Sequence, residues 1–561
     1  MKKIKNLIIM IIVLVVLIAA FALWKLFGSS SNGERNETSN TSVKSEALIS
    51  LNIKDVNKIE VKNEKGTLLL NSEKVKVNNE SESSETKGTT LAVTGSAKEG
   101  KDKTKSTWKL ANAKYPNIDQ QKVEKLGNVL LTITTTDEVN LSAETNLADY
   151  GIENSKAEVK YILNSGEEIR VTLGDKAPSK GVNNHYIYNH KTKRLAIASA
   201  VVDQILSGQL DLLNENIFNE NANQITKLVL ERSNDKYKLE AESKKVFNEE
   251  TGDVKTLEWT ITNPVTWKGN NTNLNNLVNQ ALELKATKYI AISNNQDLAK
   301  YGLDKAQYKL SLVNEKSESK TLLVGASSNN ETYASFEGSN LAFTFANNSL
   351  TNIGSKQMDF FDNFAALVNI ENVGELTLKT PDQEYISKIY YPNTEETEAA
   401  KAKGFKKPDP VYTLNGRYAF VKNDKDDNLF SRYYQTLIGI FVNNIDLDVN
   451  VENVLNKESV FSINYKMRHE NMGDINLEFK ERDDRTFYIV KNGEYTGFYC
   501  LKADFYESKS IRSPGVLNGV NQLIKEMDKQ KTETVDEARF NELKELIPDP
   551  EAKNTSASTN K

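Results

Sequence analysis

The strongest constraint on this chain is a pattern of apolar, aromatic and glycine positions that occurs twice, always 151 residues apart. The clearest stretch is Leu-Ala-Asp-Tyr-Gly-Ile at 147–152, which returns as Leu-Ala-Lys-Tyr-Gly-Leu at 298–303. A fixed period of this length indicates a duplicated domain. Six pairs of positions keep the spacing without a gap: Trp108 and Trp259, Val123 and Leu274, Leu126 and Leu277, Tyr150 and Tyr301, Gly151 and Gly302, Gly174 and Gly325.

Both copies show the same predicted order of elements. A hairpin with a polar insertion at its tip precedes the tryptophan strand, an amphipathic helix and the Tyr-Gly segment, and paired strands follow. A third, degenerate copy is expected further on, with Tyr412 in the place of the tryptophan. The predicted fold class is α+β: an N-terminal transmembrane helix followed by tandem repeated domains, each an antiparallel sheet with one packed helix. The predicted divisions are a cytoplasmic stub and anchor at 1–28, a flexible linker at 29–49, repeat domain 1 at 50–220, repeat domain 2 at 221–368, a degenerate repeat domain 3 at 369–530, and a C-terminal helix with a disordered tail at 531–561.

Residues 7–24 are apolar and uncharged (LIIMIIVLVVLIAAFALW). At helical rise they span about 27 Å, close to the hydrocarbon thickness of a bilayer. A cleaved signal peptide is the alternative, because Ala20-Phe21-Ala22 has the small-x-small form of a cleavage site. Lysines 2, 3 and 5 precede the segment, so the positive-inside rule places the N-terminus in the cytoplasm. The sequence therefore predicts a single-pass plasma-membrane protein whose bulk is extracytoplasmic.

Composition excludes several classes of protein. A single cysteine, Cys500, rules out disulfide bonds within the chain. The net charge of the chain is −5. Four lysines near the anchor contribute positive charge to this sum, so the part expected outside the membrane has a more negative net charge than the whole chain. An acidic surface without a basic cluster argues against nucleic acid as a partner. The anchor is expected to supply the only membrane contact.

Side chains that could perform chemistry are few. The three histidines, His185, His190 and His469, do not have the spacing of a metal site, and surface positions account for them better. The acidic run that begins at Asp424 starts like a calcium loop, but Leu429 stands where its glycine belongs, so we interpret it as a helix-capping turn. Cys500 is expected to be a small buried residue. No catalytic, cofactor-binding or metal-binding residue is predicted, and the chain is not expected to be an enzyme.

The repeated glycines have a structural interpretation. In the Tyr-Gly segments, Gly151 and Gly302 are predicted to adopt a positive φ in a turn. Trp108 and Trp259 are predicted to occupy equivalent buried sites, and Tyr150 and Tyr301 likewise. Gly174 and Gly325, at strand ends, suit a bulge or a tight turn. A glycine that cradles a ligand is the alternative, but no phosphate-loop spacing surrounds either position.

The order of tryptophan strand, helix, Asp/Asn-Leu-Ala-x-Tyr-Gly-Leu/Ile, strand and strand ending in glycine resembles the bacterial domain-of-unknown-function family numbered 4340. The resemblance covers about residues 50–365 as two copies. It implies a membrane-anchored envelope protein that accompanies an export-type ABC transporter, with an ABC permease or its companion subunit as partner. A surface protein that binds wall polymer or glycan is the alternative, and a hydrolase with paired carboxylates is a third class that no spacing supports.

Overall fold

A computed structural model of the chain describes residues 47–76, 104–178, 183–235, 237–249, 251–406, 409–507 and 514–545. These residues form two compact units. The first takes the described residues up to Ala113 together with Gln120–Gly208. The second takes Lys114–Asp119 and the described residues from Gln209 onward. The predicted linker lies largely outside these ranges, as do the tip of the first polar insertion and the C-terminal tail.

The first unit is built on an eight-stranded antiparallel sheet in the order β4-β3-β2-β7-β8-β9-β10-β6, with a separate pair β1-β5. Two helices accompany it, α1 (Gln120–Leu130) and α2 (Val202–Ile205). The strands are β1 (Ala47–Ser50), β2 (Val56–Asn63), β3 (Gly66–Lys76), β4 (Thr104–Leu110), β5 (Thr132–Thr134), β6 (Asp137–Val139), β7 (Ala157–Leu163), β8 (Glu168–Lys176), β9 (His185–Asn189) and β10 (Arg194–Ala198).

The second unit begins with a nine-stranded antiparallel sheet in the order β14-β13-β12-β11-β16-β17-β18-β19-β15. Its helices are α3 (Asn271–Leu282) and α4 (Asn295–Lys300). Its strands are β11 (Ile225–Arg232), β12 (Tyr237–Phe247), β13 (Val254–Asn263), β14 (Trp267–Lys268), β15 (Lys288–Ala291), β16 (Tyr308–Asn314), β17 (Ser319–Ser328), β18 (Glu331–Phe336) and β19 (Leu341–Ala346).

A second nine-stranded sheet of the same unit, the third of the chain, has the order β23-β22-β21-β20-β25-β26-β27-β28-β24. Its strands are β20 (Val373–Lys379), β21 (Glu384–Tyr390), β22 (Val411–Leu414), β23 (Arg417–Tyr418), β24 (Asn444–Ile445), β25 (Ser459–Met467), β26 (Ile475–Glu481), β27 (Thr486–Lys491) and β28 (Glu494–Leu501). The helices are α5 (Thr394–Ala402), α6 (Leu429–Ile438), α7 (Val451–Leu455), α8 (Ala503–Tyr506), α9 (Val516–Lys529) and α10 (Glu537–Leu543).

The three sheets share one strand order, so the third region folds on the same plan as the two copies. In each, the helix carries the chain from one edge of the sheet to the opposite edge, where a strand of two to four residues pairs with the last hairpin. The predicted α+β class is therefore wrong, because the described residues are dominated by large antiparallel sheets covered by short helices. Edge strands of two to four residues carry too little alternation to be recognised from sequence.

The predicted N-terminal transmembrane helix also needs correction. Its segment, residues 7–24, lies outside the ranges that the structure describes. Within those ranges, no helix is both long enough and apolar enough to cross a membrane. The anchor, and the plasma-membrane location derived from it, therefore have no support in the structure.

The core forms because strand alternation and helix periodicity point apolar side chains to the same side. In β7, Ala157, Val159 and Tyr161 are buried at alternate positions. In α3, Leu274, Leu277, Val278 and Ala281 form the buried stripe. In the second unit, one continuous apolar cluster extends through both sheets. The two sheets are thus joined by shared burial.

The repeated tryptophans occupy the buried sites that the period predicts. Trp108 and Trp259 are 0% and 1% exposed, and Tyr412 of β22 is also fully buried. The indole Nε1 of Trp108 donates to Asn128 Oδ1 at 3.1 Å, and that of Trp259 donates to Asn275 Oδ1 at 2.8 Å. The two asparagines do not correspond in the repeat. Both copies thus bury an indole at this site, but the asparagine that accepts its hydrogen bond lies on a different turn of the helix in each copy.

The Tyr-Gly segments are turns, as predicted. Gly151 and Gly302 have φ of 69° and 67°, in the left-handed region that favours glycine. Gly174 and Gly325 lie in bulges of their sheets, and at each a Cβ would collide with the carbonyl oxygen of the tyrosine of the same copy, Tyr150 or Tyr301 respectively. Both tyrosines were expected to be buried; they are only half-buried.

The half-buried tyrosines pack against a tyrosine of the following hairpin. Ring centroids are 4.9 Å apart for Tyr150 and Tyr186, and 4.7 Å apart for Tyr301 and Tyr333. Each pair lies at the surface of its sheet, where one ring shields the other and leaves part of both exposed. This position explains why neither tyrosine reaches the core.

Candidate functional site

A groove lies in the second unit, between its two sheets. It has a volume of about 700 Å³. It is lined mainly by the edge strand β14 of the second sheet and the loop before it, by the connecting segment 362–368, and by the tip of the β27–β28 hairpin of the third sheet, with single residues from β13 and β26. A groove of this size is within the usual range for ligand clefts, about 300–1,000 Å³.

Aromatic packing beneath the groove fixes the position of the two sheets. The ring centroid of Trp267, on β14, lies 4.8 Å from that of Phe498, on β28, and Phe361 lies 5.3 Å from Phe498. Gly497 has φ of +83°, and a Cβ there would stand 2.7 Å from Val265 Cγ1. Glycine is therefore required at this point by both its backbone angle and the close approach of the neighbouring sheet.

Main-chain hydrogen bonds hold the connecting segment against β14 and against the segment that follows α6. Asp362 N donates to Lys268 O at 2.9 Å, and Ala365 N donates to Ile440 O at 2.9 Å. The indole Nε1 of Trp267 donates to Asp362 O at 2.9 Å. The wall of the groove is thus tied at several points and is preformed.

Large apolar side chains are exposed on the groove wall and directly beside it. Leu367, in the connecting segment, is 58% exposed, and Phe441 is 43% exposed. Phe441 stacks on Phe364, with ring centroids 4.9 Å apart. Clustered apolar side chains of this kind mark surfaces that another molecule covers.

The two lysines of the groove, Lys491 and Lys268, have different surroundings. The Nζ of Lys491 lies 5.5 Å from the centroid of the Trp267 ring, within range of a cation–π interaction. Burial lowers the pKa of the Lys491 ammonium, because desolvation disfavours its charged form. Lys268, also on the groove, has an ion pair with Asp362 at 3.6 Å.

The residues weighed from sequence as possible ligands are not brought together. His185 Nδ1 lies 3.0 Å from Gly174 O, and His190 contacts Arg170 and Thr172. His469 is exposed elsewhere in the third sheet. Among the residues that the structure describes, no group of three or more His, Cys, Asp or Glu could hold a metal ion.

The acidic run at Asp424 forms a turn before α6, as expected, although the aspartates do not cap the helix. Asn428 is the N-cap, since its side chain accepts from Ser431 N. Asn423 Oδ1 closes the turn by accepting from the main-chain N–H groups of Lys425 and Asp427. Cys500 is fully buried, as predicted, and burial raises the pKa of its thiol.

Sequence reasoning missed the groove, although one signal pointed to it. Trp267 is one of four tryptophans and falls outside the repeat, because Pro116 stands 151 positions earlier. A large aromatic residue that the second copy has and the first copy lacks suggests a feature specific to the second copy. No comparable signal marked Lys491 or Leu367, which are ordinary residues for a hairpin end and a connection.

The fold and groove define a class: a tandem array of large antiparallel sheets with a preformed cleft at a junction between sheets. The sequence profile of the family described as Domain of unknown function (DUF4340) matches the chain twice, at residues 108–256 and 259–417. These matches cover more than half of the chain, which therefore belongs to this family, as predicted. Each match begins at a repeat position of the tryptophan strand and continues into the sheet that follows. No curated protein and no solved structure matches the chain.

Proposed function

We propose that this protein is a non-enzymatic interaction protein that binds another protein through its tandem sheets. The observation that carries the proposal is the preformed groove between the second and third sheets, lined by the exposed Leu367 and by Phe364, on which the exposed Phe441 packs. Exposed apolar side chains around a fixed cleft are typical of protein-binding surfaces, whose centres are depleted in charge and enriched in aromatic residues.

We further propose that the partner is an ABC-type permease or a companion subunit, so that the chain acts as an accessory subunit of a transport system. This finer step depends on the family resemblance alone. Tandem sheets suit such a role because several surfaces on one chain can contact a partner at once, which raises the effective affinity without stronger individual contacts.

The test is capture of partners by the full-length chain from cells that produce it, after brief cross-linking, with quantitative mass spectrometry of the bound proteins. Enrichment of a permease or a companion subunit over an unrelated bait is the expected result. A chain that enriches no protein, or that recovers wall polymer in place of protein, would contradict the proposal.

A further inference from the structure

The further inference concerns the charge balance of the groove. Four charged residues line it: Lys268, Asp362, Lys491 and Glu494. Lys268 and Asp362 form an ion pair, and Glu494 is an exposed residue at the hairpin tip. Lys491 is half-buried; its ammonium lies 5.5 Å from the centroid of the Trp267 ring, and among the residues that the structure describes it forms no hydrogen bond and no ion pair.

A second lysine of the same sheet shows how this fold satisfies a buried ammonium. Lys480 Nζ donates to Leu455 O at 2.8 Å and to Lys457 O at 2.7 Å, and it lies 3.2 Å from Glu478 Oε2. Burying a cation costs free energy unless hydrogen bonds and a counter-charge compensate it. Lys480 has both kinds of partner, whereas Lys491 has an aromatic face on one side and open donors on the other.

The positions of charge and apolar surface together specify a ligand. The ammonium of Lys491 stands on the wall formed by the third sheet, and Leu367 with the Phe364–Phe441 pair provides the apolar rim. A small anion such as phosphate would satisfy the ammonium and leave the rim exposed. A peptide with a carboxylate beside an aliphatic side chain would cover both.

We propose that this groove binds an extended acidic–apolar peptide segment of the partner protein, with a carboxylate of the segment accepting hydrogen bonds from Lys491 Nζ and an aliphatic side chain packing on Leu367. The inference rests on the proposed function and names the chemistry of its partner. Charge-assisted hydrogen bonds of this kind are among the stronger polar contacts. Trp267, stacked on the same ammonium, holds it in place.

The test measures binding of a fluorescein-labelled decapeptide of alternating glutamate and leucine to the full-length chain, by fluorescence anisotropy at low salt. A matched peptide of alternating glutamine and leucine tests the charge. We expect Lys491→Gln to weaken binding about tenfold, which is about 1.4 kcal/mol, and Lys491→Arg to restore most of it. Leu367→Asp should also weaken binding, whereas Phe247→Ser, at a 55% exposed residue of β12 that does not line the groove, should not.

A footprint provides an independent readout. Acylation of lysines by an amine-selective reagent, read by mass spectrometry, should be slowed by the peptide at Lys491 and unchanged at Lys316, an exposed lysine in the β16–β17 turn. Circular dichroism of each variant establishes that it is folded.

Four results would overturn the inference: no binding of the acidic peptide, equal binding of the acidic and the glutamine peptide, equal binding by the wild type and Lys491→Gln, or displacement by inorganic phosphate at the peptide's own concentration. Its failure is separable from that of the proposed function. If wild type and Lys491→Gln capture the same permease or companion subunit equally well, the interaction protein stands and the groove is not its peptide site.

Discussion

Gly325 lies against the carbonyl oxygen of Tyr301 so closely that a Cβ could not be fitted between them. The first copy repeats the arrangement with Gly174 and Tyr150. The turn that follows a helix therefore contacts a strand bulge, and the tyrosine and the glycine of the repeated signature, 24 positions apart in each copy, specify this one contact.

Gly325→Ala is expected to destabilise the second unit by about 1–3 kcal/mol, because the added methyl group would force the main chain apart. Gly374→Ala is the matched control, since a Cβ there would lie 3.6 Å from its nearest neighbour. Denaturant unfolding of both variants measures the difference. Equal stability of the two variants would contradict the contact.

Trp259→Ala and Trp108→Ala are each expected to cost about 3–5 kcal/mol, as for other deletions of large buried side chains. Both indoles are essentially fully buried, and each also donates a hydrogen bond to an asparagine of its helix. Phe247→Ala, at an exposed position, should change the free energy of unfolding by less than about 0.5 kcal/mol. Urea titration followed by far-ultraviolet circular dichroism compares the three.

Two buried tyrosines are expected to respond differently to removal of the hydroxyl. Tyr161 OH donates to Leu130 O at 2.6 Å, so Tyr161→Phe should cost about 1 kcal/mol or more. Tyr465 OH is buried without a partner among the described residues, so Tyr465→Phe should be neutral or stabilising. Calorimetric unfolding of both variants gives the comparison, and a larger loss for Tyr465→Phe would refute it.

Alkaline pH is expected to unfold the protein. Burial raises the pKa of Tyr161, Tyr433 and Tyr465 well above the ordinary value of about 10. Above about pH 10 the unfolded chain loses these protons while the folded chain keeps them, so stability is fully present below that pH and falls as pH rises. Absorbance at 295 nm should show these phenols ionising together with loss of structure. Ionisation of all 22 tyrosines near pH 10 in a folded chain would contradict this.

The thiol of Cys500 should be inert in the folded protein. It is fully buried, and burial raises its pKa, so the reactive thiolate is scarce. Ellman's reagent is expected to react at the rate of unfolding in buffer, and to titrate one equivalent at once in guanidinium chloride, because the chain has one cysteine. Immediate reaction in buffer would show that the site is accessible.

The sequence allowed prediction of features that depend on residues close in the chain or repeated along it. The burial of Trp108 and Trp259, the left-handed glycines Gly151 and Gly302, and the buried stripe of α3 all follow from periodicity. In each case local pattern and tertiary burial demand the same residue type.

What could not be predicted depends on contacts between distant residues. Trp267 and Lys491 are 224 positions apart, and neither belongs to the repeated pattern. The short edge strands, such as β24 (Asn444–Ile445), are fixed by their partner strand more than by their own residues. Tyr150 and Tyr301 were expected in the core because a repeated aromatic residue is usually buried, whereas their packing partners are other surface tyrosines.

The far edge of the third sheet has a consequence for assembly. Tyr418 N donates to Glu533 O at 2.9 Å, Val535 N donates to Gly416 O at 2.7 Å, and Val535 and Phe540 pack on Val411. An open strand edge is a template onto which a second molecule can polymerise. The main chain of the C-terminal segment runs along β23 and forms hydrogen bonds with main-chain groups at this edge, so a second molecule cannot bond to them. Residues 532–543 therefore protect this edge of the third sheet, and we expect a chain that lacks them to self-associate through the exposed edge.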